Sequence, residues 1–88
     1  MKLASTELVN DLPRCRVRAD ASVAGLFPRT IMVARMLAGG LGVDEIAYAF
    51  GINRNAIGRE RKRFCGATGA VTQRDIVLAC RRFGLEPV

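Results

Sequence analysis

The sequence predicts an all-α domain of four helices, on three observations. A stretch with helix-turn-helix spacing runs from Asp44 to Phe64, a proline-initiated apolar segment precedes it, and a threonine-capped segment that stops at a glycine follows it. At 88 residues the chain fits one small domain, with room for a compact helical core and little stability to spare. Residues 1–25 read as a leader or arm and residues 26–88 as the domain proper.

The leader is the least patterned part. Ser5 or Thr6 is placed to cap a short helical turn through Leu8 and Leu12, which Pro13 would end. Arg14-Cys15-Arg16-Val17-Arg18-Ala19 then alternates polar with apolar, the period of a half-buried extended segment. Two readings fit it. One is a basic arm that follows a DNA minor groove; the other is an extended leader whose Cys15 and Val17 pack on the helices while its arginines face water. A basic run alone is weak grounds for contact, which favours the second. Ala21 to Gly25 reads as a linker.

Pro28 opens the first helix, where its missing donor costs nothing. Ile31, Val33, Ala34, Met36 and Leu37 give it a broad apolar face, Gly39-Gly40 stops it, and Leu41 returns to the core. Asp44 and Glu45 suit the positive end of a second helix that closes at Phe50. Gly51 supplies a left-handed exit, Asn53 a cap for the third helix, and small Ala47 a close helix approach, with Phe50 and Ile52 as apolar plugs. The third helix is expected over about 54–65, because Cys65-Gly66-Ala67-Thr68-Gly69 is too glycine-rich to continue it comfortably. Thr72 with Asp75 resembles a capping box for a last helix from about Gln73 to Phe83, stopped by Gly84. Its inward stripe is Ile76, Cys80 and Phe83, and Leu78 points outward beside Arg74, Val77 and Arg81.

Plotted at about 100° per residue, the third helix puts Ile57 and Phe64 on one side and Asn55, Arg59 and Lys62 on the other, with Gly58 and Arg63 at the margins and Arg54 at the start. Amide and guanidinium groups pair bidentately with base edges, and further lysine and arginine hold phosphates. Arg54 to Arg63 holds five basic residues against one acidic, Glu60, within a chain of net charge +6. An isolated charge run is most simply a solvated face; inside a spaced turn motif it predicts contact with double-stranded DNA through Asn53, Arg54, Asn55, Arg59, Lys62 and Arg63.

The same residues argue against other classes. Histidine is absent, and three scattered cysteines, Cys15, Cys65 and Cys80, make neither a zinc site nor a cysteine nucleophile with a base. The expectation is therefore no catalytic residues, no metal and no cofactor. No segment has the length of a signal-peptide core or a membrane span, so the expected place is the cytoplasm.

From Leu26 to Leu85, about two thirds of its length, the chain resembles the LuxR/GerE-type DNA-binding domain. Leu26, Pro28, Arg29 and Val33 fall in step with the family's L-T-x-R-E-x-E-V-L. Gly40 to Ala47 is similar to G-x-S-N-K-E-I-A, Phe50-Gly51-Ile52-Asn53 to L-G-I-S, and Cys80 to Leu85 to A-x-R-x-G-L. Where the family has T-V-K-x-H, this chain has Ala56-Ile57-Gly58-Arg59-Glu60, and Thr30 stands in place of the first-helix glutamate. The resemblance implies a four-helix domain with its third helix in the major groove, a bacterial cytoplasm or nucleoid, and a single-domain member lacking the usual N-terminal receiver or ligand domain. It also implies a homodimer, for which Arg74, Val77, Leu78 and Arg81 are the candidate interface. Possible further partners are another transcription regulator or RNA polymerase. The alternative is an antagonist or adaptor that pairs with another regulator.

Overall fold

The computed structural model describes residues 16–88; Ser5 to Pro13, Arg14 and Cys15 lie outside the described residues. Helix α1 spans Pro28–Ala38, α2 Val43–Phe50, α3 Arg54–Thr68 and α4 Gln73–Arg82. Among the described residues there is no strand.

The helix boundaries follow the local chemistry. Pro28 sits in the first turn of α1. At the start of α2, the Glu45 carboxylate accepts from the Gly42 amide at 2.7 Å. Gly51 takes φ of 71°, and the amides of Gly51 and Ile52 turn back to the carbonyls of Tyr48 and Ala47. Asn53 Oδ1 accepts from the Ala56 amide at 2.9 Å, the expected cap of α3. Thr72 and Asp75 form the reciprocal capping box of α4, aspartate reaching as far as the longer glutamate would.

Packing makes α1 the hub. It lies against both α3 and α4, while α2 packs on α3. Val33, Ala34 and Leu37 of α1 meet Ile46 and Ala47 of α2, Ile57 and Phe64 of α3, and Ile76, Ala79 and Cys80 of α4 in one buried cluster. Fully burying each of the large members stabilises by about 1.5–3 kcal/mol, enough for a core of this size to hold four short helices that would not persist alone. Phe50, Ile52 and Leu41 pack against its edge, as their positions in the turns predict.

Three expectations are corrected. Helix α3 does not end at Cys65 but runs on through Gly66 and Ala67 to Thr68. Its carbonyls are taken up in turn: Thr68 Oγ1 donates to Phe64, the Gly69 amide to Cys65, the Arg18 guanidinium to Gly66 and Ala67 at 3.1 and 2.9 Å, and the Arg18 amide to Thr68 at 2.8 Å. Two glycine-weakened turns survive because a distant arginine finishes them. Gly69, at φ 90°, must be glycine on two counts, since a Cβ there would also stand 2.6 Å from the Arg16 carbonyl. Second, Phe83 is not in the core cluster; it sits half-buried at the C-cap with Arg82 over its ring, and the half-buried Leu85 turns back to pack against the core instead. Third, Leu78 and Val77 are half-buried rather than standing out into solvent, while Arg74 and Arg81 are exposed.

The segment from Arg16 to Ala19 accordingly follows neither sequence reading in full. Val17 packs against the core as the leader reading has it. Arg18 is spent on the end of α3, and Arg82 of α4 donates to the carbonyls of Arg18 and Ala19 at 2.9 and 2.7 Å.

Candidate nucleic-acid interface

Ile57 and Phe64, both essentially inaccessible, pin α3 to the core and thereby decide which of its residues face out. On the outer side, Arg54, Asn55, Gly58, Arg59 and Lys62 line an open groove of about 460 Å³ whose far wall is Val43, at the start of α2. Asn55, Arg59 and Lys62 are exposed. Among the described residues no hydrogen bond or ion pair occupies their side chains. Arg54 lies 3.4 Å from Asp44, both well exposed, a pair of little energetic consequence that leaves the guanidinium available.

The remaining two sequence candidates stand apart from the groove. Asn53 has its Oδ1 committed to capping α3, leaving only the amide NH₂ to donate outward. Arg63 donates to Glu60 Oε2 at 2.9 Å and is half exposed. Its first role is to neutralise a buried charge.

That buried charge is the feature the sequence reading passed over. Glu60 is 3% exposed. Thr30 Oγ1 donates to its Oε1 at 2.6 Å, and Arg29 Nε and Nη2 reach Oε2 at 3.1 and 2.9 Å, joined there by Arg63. The Thr30 hydroxyl, followed by the two guanidinium groups, outweighs burial and holds the Glu60 carboxyl below the usual range, so it is ionised at neutral pH. The local negative charge is thus enclosed between α1 and α3, and the outer face keeps its cationic character. A signal existed in the wheel: Glu60 lies about 60° from Ile57 and about 40° from Phe64, inside the core sector.

Four candidates, Arg54, Asn55, Arg59 and Lys62, are therefore brought into one groove, and Val43 and Gly58 are its additional members. An amide, two guanidiniums and an ammonium on one exposed helix face can donate to base edges and to phosphate oxygens without first breaking a strong internal bond. The thiols offer no comparable chemistry. Burial pushes those of Cys65 and Cys80 above the ordinary value and keeps them protonated. Comparison with known protein families, curated proteins and solved structures finds no match to this chain.

Proposed function

We propose that the protein is a sequence-specific DNA-binding transcriptional regulator of the LuxR/GerE type that inserts α3 into the major groove. The observation that carries this reading is the groove on the outer side of α3, where Asn55, Arg59 and Lys62 stand exposed and unengaged by other described residues while Ile57 and Phe64 anchor the opposite side. Asn55 reads adenine by accepting from N6 and donating to N7, and Arg59 reads guanine by donating to O6 and N7; Arg54, Lys62 and the Asn53 amide hold phosphates. The net charge of +6 favours a polyanionic partner. Two of the departures from the family pattern, Thr30 and Glu60, are bonded to each other and so count as one paired change, while Ala56 and Gly58 leave the family's threonine and lysine without a counterpart.

Two copies would bind a pseudo-palindrome, with half-sites about one helical turn apart. The pairing surface in this reading is α4, where Val77 and Leu78 form a half-buried apolar strip between the exposed Arg74 and Arg81.

The test is selection of bound sequences from a random duplex pool at about 0.15 M salt, with Arg59→Ala in parallel. The expected result is an enriched palindrome in which the variant loses preference at one base position per half-site, at a cost of about 1–3 kcal/mol. Weak binding that vanishes with rising salt, and no enrichment, would replace this reading with the adaptor that pairs with another regulator.

A further inference from the structure

Most glycines in the described residues have a reason visible in the fold. Gly40, Gly51, Gly69 and Gly84 have positive φ, and a Cβ on Gly39 would collide with the Val88 carbonyl oxygen. Two helical glycines have no such reason. Gly58 and Gly66 both lie inside α3, and a Cβ built on either meets nothing within 4 Å. Each weakens the helix relative to alanine. Among the described residues neither backbone strain nor packing requires them.

Their surroundings differ. Gly66 is on the last turn, away from the groove. Gly58 is in the groove wall, with Arg54 and Asn55 one turn before it, Arg59 beside it and Lys62 one turn after. Residues three and four apart are surface neighbours on a helix, so Gly58 is a notch in the groove wall, bordered by Arg54, Asn55 and Lys62 with Arg59 next along the chain. The floor of the notch is backbone whose N–H and C=O are engaged in the helix, and it offers no hydrogen bond. What fits it is a small apolar projection. Among groups displayed in the major groove, the one apolar group is the C5-methyl of thymine.

We infer that Gly58 is a specificity-determining position: its bare backbone seats a thymine methyl in each half-site, while Asn55 and Arg59 read neighbouring pairs. This rests on the DNA-reading function proposed above. The absent side chain lets α3 lie closer to the base edges than alanine would, at the expense of helix stability.

The experiment compares the wild-type chain, Gly58→Ala and Gly66→Ala by thermal melting and by binding to the duplex that the wild type selects. A second duplex carries uracil in place of each selected thymine in turn. Both variants should melt about 4–8 °C higher than wild type, which also shows that they fold. Gly66→Ala should bind as the wild type does. Gly58→Ala should bind at least tenfold more weakly. One uracil position per half-site should weaken the wild type about fourfold and leave Gly58→Ala unchanged. If the wild type selects a site and Gly58→Ala binds it equally well with the same thymine preference, this inference is overturned and the DNA reading stands. If the wild type selects nothing, both fall together.

Discussion

The two buried carboxylates, Glu60 and Asp75, solve one problem in opposite ways. Each is 2–3% exposed and each titrates below its usual range. Glu60 is satisfied by side chains, the Thr30 hydroxyl and two arginines, and so ties α3 to α1. At Asp75 burial alone would raise the pKa, but backbone amides prevail: Thr72 and Val71 donate to Oδ2 at 3.1 and 2.9 Å, and Arg16 to Oδ1 at 3.2 Å. Side-chain donors that are half exposed can turn to water when their acceptor is lost. Backbone amides fixed at a helix start have less freedom to do so. The Asp75 site should therefore be brittle and the Glu60 site forgiving.

Three variants sharpen or break that contrast. Asp75→Ala strands the Val71 and Thr72 amides at the helix start, releases that of Arg16, and should cost about 3 kcal/mol, a large share of the stability of a domain this small, read as a drop in the urea midpoint at unchanged slope. Thr30→Val removes the shortest bond to Glu60 but leaves both arginines in place. It should cost about 1–3 kcal/mol in the same assay, with Arg29 and Arg63 compensating toward the lower end. Equal losses for the two would end the contrast. Glu60→Gln keeps the shape and an acceptor for Thr30, but it turns an amide NH₂ toward Arg29 and Arg63 and loses at neutral pH the share of stability that comes from the ionised carboxylate. Its signature lies in acid. Both carboxyls are depressed in the folded state, so their stabilisation is fully present above the unfolded values near pH 4 and is lost as pH falls through the folded ones. Glu60→Gln should flatten the decline of unfolding free energy below about pH 4, with the Asp75 share remaining.

What the sequence made legible was local. Pro28, Gly51, Asn53 and the Thr72–Asp75 box each act within a turn of themselves, and each lies where its spacing predicts. The apolar side of α3 was equally readable, because Ile57 and Phe64 repeat at seven residues, and with it the opposing Asn55, Arg59 and Lys62. What escaped depended on distant partners. Nothing near Gly66 announces that Arg18 will complete its helix, and nothing near Glu60 says that Arg29 and Thr30, some thirty residues earlier, will enclose it. Phe83 stays outside the core cluster because the helix closes there and the chain reverses at Gly84, which brings Leu85 back against the core's edge.

The Arg18 contact also orders events in time. Its guanidinium meets carbonyls 48 and 49 residues further on, so the ends of a long loop must meet before either bond forms. The first turns of α3 need only the cap at Asn53 and the nearby α2. Its last turn must wait for Arg16 to Ala19 to dock. Native-state hydrogen exchange should therefore find two levels of protection in one helix, deep at Ile57 and shallower at the amides of Ala67 and Thr68, whose turn relies on Arg18.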